Sequence, residues 1–220
     1  LGVGPRLLFA LACAVFHATL SRAGYYTWVN SDPVGIDGGP LGFLTWTTPL
    51  LVGSIAADYL GKPRGGIAPM ALLSFLLMLA GYAVSCLNRW PAPGETHAVW
   101  SDWLNAPPFF PPTHPVDMWT MSQRSGSVSY LVFSAGFALM VAILFVLIER
   151  RLGWSWGVFT TLGINALAGY ILHDWIGEAV KPFTPRDAPL WYVSIATGVF
   201  LTLCYLFLRH MQKKNLIVRL

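Results

Sequence analysis

Long runs of apolar residues, separated by short polar stretches, dominate the hydropathy pattern of the chain. A helix needs about 20 apolar residues to cross the hydrocarbon core of a bilayer. Six segments meet this length: Pro5–Tyr25, Leu41–Leu60, Gly66–Leu87, Ser125–Ile148, Trp154–Val180 and Leu190–Arg209. The pattern therefore predicts an all-α, polytopic transmembrane helix bundle of about six spans, with residues 1–220 forming a single transmembrane domain in the lipid bilayer.

Composition supports a membrane protein. Hydrophobic residues make up 55% of the chain, charged residues make up 11%, and mean hydropathy is +0.56, whereas about a quarter of a soluble domain is charged. The net charge of +4 is not gathered into a basic patch with interleaved aromatics, so nucleic-acid binding is excluded as a function. The three cysteines lack the spacing of metal ligands, and we expect no metal site.

The distribution of Lys and Arg over the predicted loops indicates the orientation, because cytoplasmic loops carry the excess of positive charge. Nine of these residues fall on one side, namely Arg6, Lys62, Arg64, Arg150, Arg151, Arg209, Lys213, Lys214 and Arg219. Five fall on the other, namely Arg22, Arg89, Arg124, Lys181 and Arg186. Both termini are therefore predicted to be cytoplasmic.

The longest outer segment, residues 88–121, is rich in proline and tryptophan. It holds seven of the sixteen prolines, together with Trp90, Trp100, Trp103 and Trp119. Proline restricts the backbone and tryptophan prefers the membrane interface. We expect an ordered cap over the outer mouth of the bundle, in which His97 and His114 are solvated loop histidines.

The stretch Thr161–Trp175 combines an apolar helix pattern with a polar face. Asn165 and His173 lie on one side of this helix. Polar groups inside a bilayer are costly in free energy unless they are hydrogen-bonded to a partner or hydrated. The face is a candidate cavity lining, and helix packing through the same groups is the alternative. His173 is the candidate catalytic base, since imidazole exchanges protons near neutral pH. Neighbouring side chains on a helix point about 100° apart, so His173 and Asp174 are not expected to pair with each other.

A second polar stripe begins the fourth predicted span. Arg124, Ser127 and Ser134 recur at helical spacing, with Tyr130 at the edge. A cation among hydroxyls suits an anionic or sugar-like ligand. Snorkelling of the arginine and packing by the small residues form the alternative. In the first span, His17 is either a hydrogen-bonded packing residue or part of a cavity lining.

Three segments carry a family resemblance: VDMWTMSQRSGSVSYLVFSAGF, LGINALAGYILHDWIGEAVKPF and GIDGGPLGFLTWTTPLLVGSIAADYL. They resemble the C-terminal half of the heparan-alpha-glucosaminide N-acetyltransferase family, in its bacterial branch. The most specific elements are MWTxS at Met118–Ser122, which contains Trp119, and GxNxLxxYxxH at Gly163–His173. The resemblance implies a bacterial cytoplasmic (inner) membrane acyltransferase that moves an acetyl group from cytoplasmic acetyl-CoA to an amino sugar or glycan outside.

The resemblance covers only part of that family's machinery. The family's catalytic histidine and its motif belong to the N-terminal half, upstream of the matched region, and His17 does not lie in that motif. We therefore expect a truncated or processed chain, with His173 as catalytic candidate and Asn165, Asp174, Arg124, Ser127 and Trp119 as substrate-binding candidates. One alternative is a catalytically silent accessory or structural subunit, in a homo-oligomer or larger membrane complex. The other is a small-molecule transporter.

Overall fold

The computed structural model of the chain describes residues 2–32, 35–61, 66–91, 99–153, 157–185 and 187–218. Within these ranges every regular element is helical. The α-helices are α1 (Val3–Leu20), α2 (Tyr26–Val29), α3 (Phe43–Leu60), α4 (Ile67–Ser85), α5 (Val128–Leu152), α6 (Gly157–Ile164), α7 (Ala166–Val180) and α8 (Leu190–Lys213). Residues that entered the predictions above but lie outside the described ranges are Lys62, Arg64, His97, Trp154, Arg186 and Arg219.

Helices long and apolar enough to cross a membrane are present, as the hydropathy pattern predicts. In the described chain these stretches are Val3–Val29, Gly39–Leu60, Ile67–Arg89, Val128–Leu152 and Leu190–Lys213. Each contains 22 to 27 residues, which exceeds the length of about 20 that a span requires. The all-α class and the helices of a multi-pass membrane protein are thus confirmed. The count of six spans and the cytoplasmic termini stay predictions.

The predicted span Trp154–Val180 is not one continuous helix. Its described part consists of α6, with 8 residues, and α7, with 15 residues, on either side of Asn165. Asn165 leaves the helical conformation, with φ −119° and ψ 42°. The prediction of an unbroken helix through this stretch is therefore wrong, because the backbone opens at Asn165, between α6 and α7.

The described chain packs as two compact units, Leu1–Ile148 and Glu149–Leu220. The prediction of a single transmembrane domain stays a prediction. In the first unit, the buried core joins α3, α4 and α5, and α1 packs against it. Its fully enclosed members are Val52, Ile55, Met70, Ala135, Leu139 and Ile143.

Successive long helices of the first unit run in opposite directions. At one end, Arg6 of α1 forms an ion pair with Asp58 of α3, with 2.6 Å between Nη1 and Oδ2. At the other end, the Tyr25 hydroxyl donates to the Gly38 carbonyl and accepts from the Leu41 amide. The described parts of segments 30–42 and 86–127 lie at this second end, where the Gly38 amide donates to the Arg124 carbonyl; we call it the cap end.

Helices α4 and α5 approach each other through glycine. A Cβ atom at Gly81 would lie 2.5 Å from the Phe133 nitrogen, and one at Gly136 would lie 2.6 Å from the Ser74 carbonyl oxygen. The Ser74 hydroxyl donates to the Gly136 carbonyl across this contact, at 2.8 Å. Small residues at such positions let membrane helices pack backbone to backbone.

In the second unit, α6 and α7 run antiparallel to α8. The Thr161 hydroxyl donates to Gln212 Oε1 at 2.9 Å, near the C-terminal end of α8. Gly169 faces Leu208 and Gly177 faces Phe200, because a Cβ at these glycines would lie 3.1 and 3.8 Å from those side chains. His173, midway between the two glycines, is therefore level with the middle of the 24-residue helix α8.

Candidate functional site

Asn165 joins the helix break to the C-terminal tail. The tail turns back after α8, where the Leu216 amide donates to the Met211 carbonyl. This turn brings the Val218 amide to Asn165 Oδ1, at 3.2 Å. The Asn165 side chain is fully buried, and its Nδ2 has no hydrogen-bond partner among the described residues. Since a buried donor normally finds a partner, this amide is a donor available to a ligand or water oxygen at the helix break.

His173 and Asp174 form a pair on the surface of α7. His173 Nδ1 donates to the Tyr170 carbonyl, and Nε2 lies 3.2 Å from Asp174 Oδ1. The prediction that these neighbours cannot pair is wrong, because the bond to Tyr170 directs the other ring nitrogen toward the adjacent carboxylate. The side chains are 45% and 75% exposed. The contact is an ion pair only when the ring is protonated, so a base role requires His173 to leave Asp174.

Arg124 and Ser127 do not share a helical face with Ser134, contrary to the prediction. Helix α5 begins only at Val128, and both residues belong to the turn before it. Ser127 is buried, where its hydroxyl accepts from the Ser122 amide at 3.0 Å. Arg124 is exposed, and its carbonyl accepts from the Gly38 amide. Ser127 thus stabilises the turn, and substrate binding by Arg124 and Ser127 stays a prediction.

Glycine fixes this serine turn, residues Ser122–Ser129, to the loop before α3. Gly126 has φ +57° and Gly38 has φ +85°, a region that side chains other than glycine rarely adopt. A Cβ at Gly126 would lie 2.8 Å from the Gly38 Cα. The Ser125 hydroxyl adds a hydrogen bond to Asn30 Oδ1, at 3.0 Å. The turn is therefore anchored across the cap end.

Trp119 of the MWTxS element borders a recess at the cap end. The recess encloses about 440 Å³ and is lined by Arg22, Leu87, Trp90 and Trp119; we call it the aromatic recess. Its wall is held firmly, because Asp117 Oδ1 accepts from the Trp119 amide at 2.9 Å and the Ser129 hydroxyl donates to the Trp119 carbonyl at 2.7 Å.

The chemistry of the aromatic recess suits a carbohydrate. Flat indole faces offer apolar stacking surfaces for sugar rings. The guanidinium of Arg22 can donate to carboxylate, sulfate or hydroxyl oxygens in a fixed fork geometry. Trp119 is a binding candidate from the sequence, whereas Arg22 and Trp90 were not predicted. Their positions at the ends of the first and third spans were visible in the sequence, whereas their meeting with Trp119 was not.

A larger groove lies beside the recess in the first unit. It has a volume of about 580 Å³ and runs between the proline-rich part of the cap and the beginning of α5. Tyr130 and Ser134, two members of the predicted polar stripe, line it, as do Thr120 and Met121 of the MWTxS element. Of the predicted polar stripe, the two residues that lie on α5, Tyr130 and Ser134, line this groove.

His17 is buried in α1 close to the cap end. Its Nδ1 lies 3.4 Å from the Ser21 hydroxyl, and its ring meets Tyr25 edge-on at 5.7 Å. Its Nε2 is buried without a hydrogen-bond partner among the described residues. Ser21–Tyr25 forms a π-helical turn, in which Gly24 has φ +116°. The contacts fit a packing residue and leave one nitrogen available, so both interpretations of His17 stay open.

In comparisons with known proteins, no protein-family model, curated protein or solved structure matches the chain. Among the described residues, the His, Cys, Asp and Glu side chains form no cluster of three or more that could hold a metal ion. The family resemblance, acetyl-CoA as donor and the glycan acceptor therefore stay predictions.

Proposed function

We propose that the chain is part of a membrane-embedded acetyltransferase and that the aromatic recess holds its acceptor, an amino sugar or glycan on the outer side. The observation that carries this proposal is the meeting of Trp119 with Arg22 and Trp90 around one recess. Trp119 comes from the element on which the family resemblance is most specific. The donor is cytoplasmic acetyl-CoA.

The reaction needs little from the protein beyond positioning and proton transfer. The acceptor amine attacks the thioester carbonyl, a C–N bond forms, and the C–S bond breaks. The amine gives up one proton and the coenzyme A thiolate takes one up. Holding the acceptor in the recess would supply orientation, which lowers the barrier by removing the entropy cost of encounter.

His173 is the residue of this chain proposed to assist proton transfer. The bond from Nδ1–H to the Tyr170 carbonyl orients the ring, and the neutral ring, turned away from Asp174, carries a lone pair on Nε2 that can accept the proton of the amine. Its role is tested separately from acceptor binding. His173→Gln in the complete protein should lower kcat at least tenfold with little change in acceptor KM, whereas an unchanged kcat would leave the residue with a packing role.

The acceptor proposal is tested by steady-state kinetics of acetyl transfer to a glucosamine-terminated oligosaccharide. The complete protein that contains this chain is reconstituted in lipid vesicles as wild type, Trp119→Ala and Trp191→Ala. Trp191 is the control because it is a tryptophan of the second unit that does not line the recess; it is 64% accessible, whereas Trp119 is half-buried. Trp119→Ala should raise acceptor KM tenfold or more while acetyl-CoA KM stays the same. An acceptor KM equal to that of Trp191→Ala would contradict the proposal.

A catalytically silent accessory subunit is the second candidate, and the exposed pair on α7 favours it. His173 and Asp174 are level with the middle of α8, where polar groups facing lipid are costly. A partner subunit that covers this face would remove the cost. Co-purification with a stoichiometric membrane partner, together with absence of coenzyme A binding by the assembly, would support this candidate over the enzyme.

A further inference from the structure

The groove in the first unit is apolar over most of its length. The side chains that define its shape are Phe109 and Phe110 of the cap and Tyr130, Phe133, Ser134 and Phe137 of α5. None of the residues that line it carries a formal charge. A cavity of about 580 Å³ lies in the range of small-molecule binding sites, roughly 300–1,000 Å³. Its lining therefore selects an uncharged, largely hydrocarbon ligand.

One wall of the groove is a segment of the cap that runs beside α5, which we call the proline loop (residues 105–112). The Phe109 ring meets Phe133 and Phe137 edge-on, with centroids 5.8 and 5.5 Å apart. Phe137 lies nine residues after the start of α5 at Val128, which corresponds to about 13 Å along the helix axis. This part of the cap therefore runs along the first half of α5 rather than only across its end.

The proline loop is suited to apolar surroundings because few of its backbone donors need a partner. Four of its eight residues are proline, which has no N–H group. The Ala106 amide donates to Asn105 Oδ1 and the Phe110 amide to the Pro107 carbonyl. The Asn105 carbonyl accepts from the Tyr82 hydroxyl, at 2.9 Å. These bonds satisfy two of the four backbone N–H groups of the loop and two of its carbonyls.

Phe109 holds a conformation that needs outside support. Its φ of +75° lies in the left-handed region, which is a genuine outlier for a bulky side chain. Such strain of about 1–3 kcal/mol persists where surrounding structure fixes the residue, commonly at ligand sites. Phe109 and Phe110 are nevertheless 79% and 69% exposed. The loop thus presents two aromatic rings at an open side of the groove rather than burying them.

We propose that this groove binds the hydrocarbon chain of a membrane phospholipid. The acyl chain packs along Phe133 and Phe137, and the proline loop covers it through Phe109. Tyr130 and Ser134 supply hydroxyl groups toward the chain's ester end. This site is separate from the aromatic recess, so chain binding holds whether or not the protein transfers acetyl groups.

The test is photolabelling with a phosphatidylcholine that carries a diazirine near the end of one acyl chain. The protein is reconstituted in nanodiscs containing this lipid, irradiated and digested, and labelled peptides are quantified by mass spectrometry. Labelling per residue on segments 105–112 and 130–138 should exceed that on the exposed face of α4, around Leu72 and Phe75, at least fivefold. Equal labelling of the groove and of α4 would show only general lipid contact and would overturn the proposal.

Variants locate the label within the groove. Ala138 lines the groove and Ala80 is exposed on α4 outside its lining, so each is replaced by tryptophan. Ala138→Trp should reduce groove labelling at least fivefold, and Ala80→Trp should leave it unchanged; equal effects would contradict the assignment. If Ala138→Trp does not fold, Ser134→Phe is used in its place. The labelling of the groove relative to α4 in the wild-type protein tests the proposal without any variant. Trp119→Ala should leave groove labelling unchanged even where it weakens acceptor binding. Lipid binding in the groove and acceptor binding in the aromatic recess can therefore fail independently.

Discussion

Adding a single methyl group between α4 and α5 should separate the two helices. In Gly81→Ala, the new Cβ would lie 2.5 Å from the Phe133 nitrogen, 2.7 Å from its Cβ and 2.8 Å from its Cα. Ordinary contact begins near 3.4 Å, so the deficit approaches about 1 Å. Two of the three opposing atoms belong to the backbone, and no rotamer change relieves them. The helices must therefore move apart.

The cost follows from overpacking of a buried contact. Inserting a methyl group into a well-packed core costs about 1–3 kcal/mol. For a chain of this size, each kcal/mol lowers the unfolding midpoint by about 2–4 °C. The expected decrease is therefore about 2–12 °C. Phe133 also lines the groove, so the same substitution should weaken photolabelling there.

The assay is thermal unfolding in nanodiscs, followed by intrinsic tryptophan fluorescence. Gly53→Ala and Gly198→Ala are matched controls, because a Cβ at either position meets nothing within 4 Å. Alanine is favoured over glycine in a helix by about 0.5–1 kcal/mol, so the controls should unfold at the wild-type temperature or slightly above. If Gly81→Ala unfolds with the controls, the close contact between α4 and α5 does not exist.

The double variant sharpens this prediction. Gly136→Ala places a Cβ 2.6 Å from the Ser74 carbonyl oxygen in the same interface. One separation of the helices relieves both clashes, and substitutions in contact are not additive. Gly81→Ala combined with Gly136→Ala should therefore lower the midpoint by less than the sum of the single decreases. Strict additivity would indicate two unrelated distortions.

Three further substitutions probe other contacts. Asp58→Asn removes the charge partner of Arg6 and should lower the free energy of unfolding by about 0.2–1 kcal/mol in denaturant titrations. The loss should be smaller at high salt, because salt screens exposed charges. A loss that does not depend on salt would argue against an ion pair. Gly126→Ala places a side chain at φ +57°, close to Gly38, and should lower the free energy of unfolding by about 1–3 kcal/mol in the same titration. An unchanged free energy of unfolding would contradict the close contact between Gly126 and Gly38. Asn165→Leu removes the acceptor for the tail and should accelerate proteolysis of residues 214–218, and an unchanged rate would mean that the tail is held otherwise.

The pattern of apolar residues was sufficient to predict the long helices but not the break between α6 and α7. A run of about 20 apolar residues has few alternatives to a helix in a bilayer, which explains why five predicted spans recur as helices. At the break, the Asn165 side chain accepts a hydrogen bond from the amide of Val218, 53 residues away. A lone asparagine in an apolar run is also compatible with a continuous helix, and no local signal separates the two outcomes.

The start of α5 could have been predicted more accurately from turn chemistry. Gly126 between two serines is a turn signal, and it outweighs the helical spacing that placed Arg124 and Ser127 on one face. The aromatic recess could not have been predicted, since Arg22 and Trp119 are 97 positions apart and meet only through the antiparallel packing of the first unit. Pairing of His173 with Asp174 depended on the hydrogen bond to Tyr170, which helical geometry alone does not reveal.

Acetyl transfer across a sealed membrane directly tests whether the protein is an acetyltransferase. The complete protein is reconstituted in vesicles with labelled acetyl-CoA on one side and a glucosamine-terminated oligosaccharide on the other. We expect labelled N-acetylglucosaminide on the acceptor side, formed much more slowly by Trp119→Ala than by Trp191→Ala at limiting acceptor. Folded wild-type protein that forms no labelled product with the two substrates in either orientation would contradict this expectation.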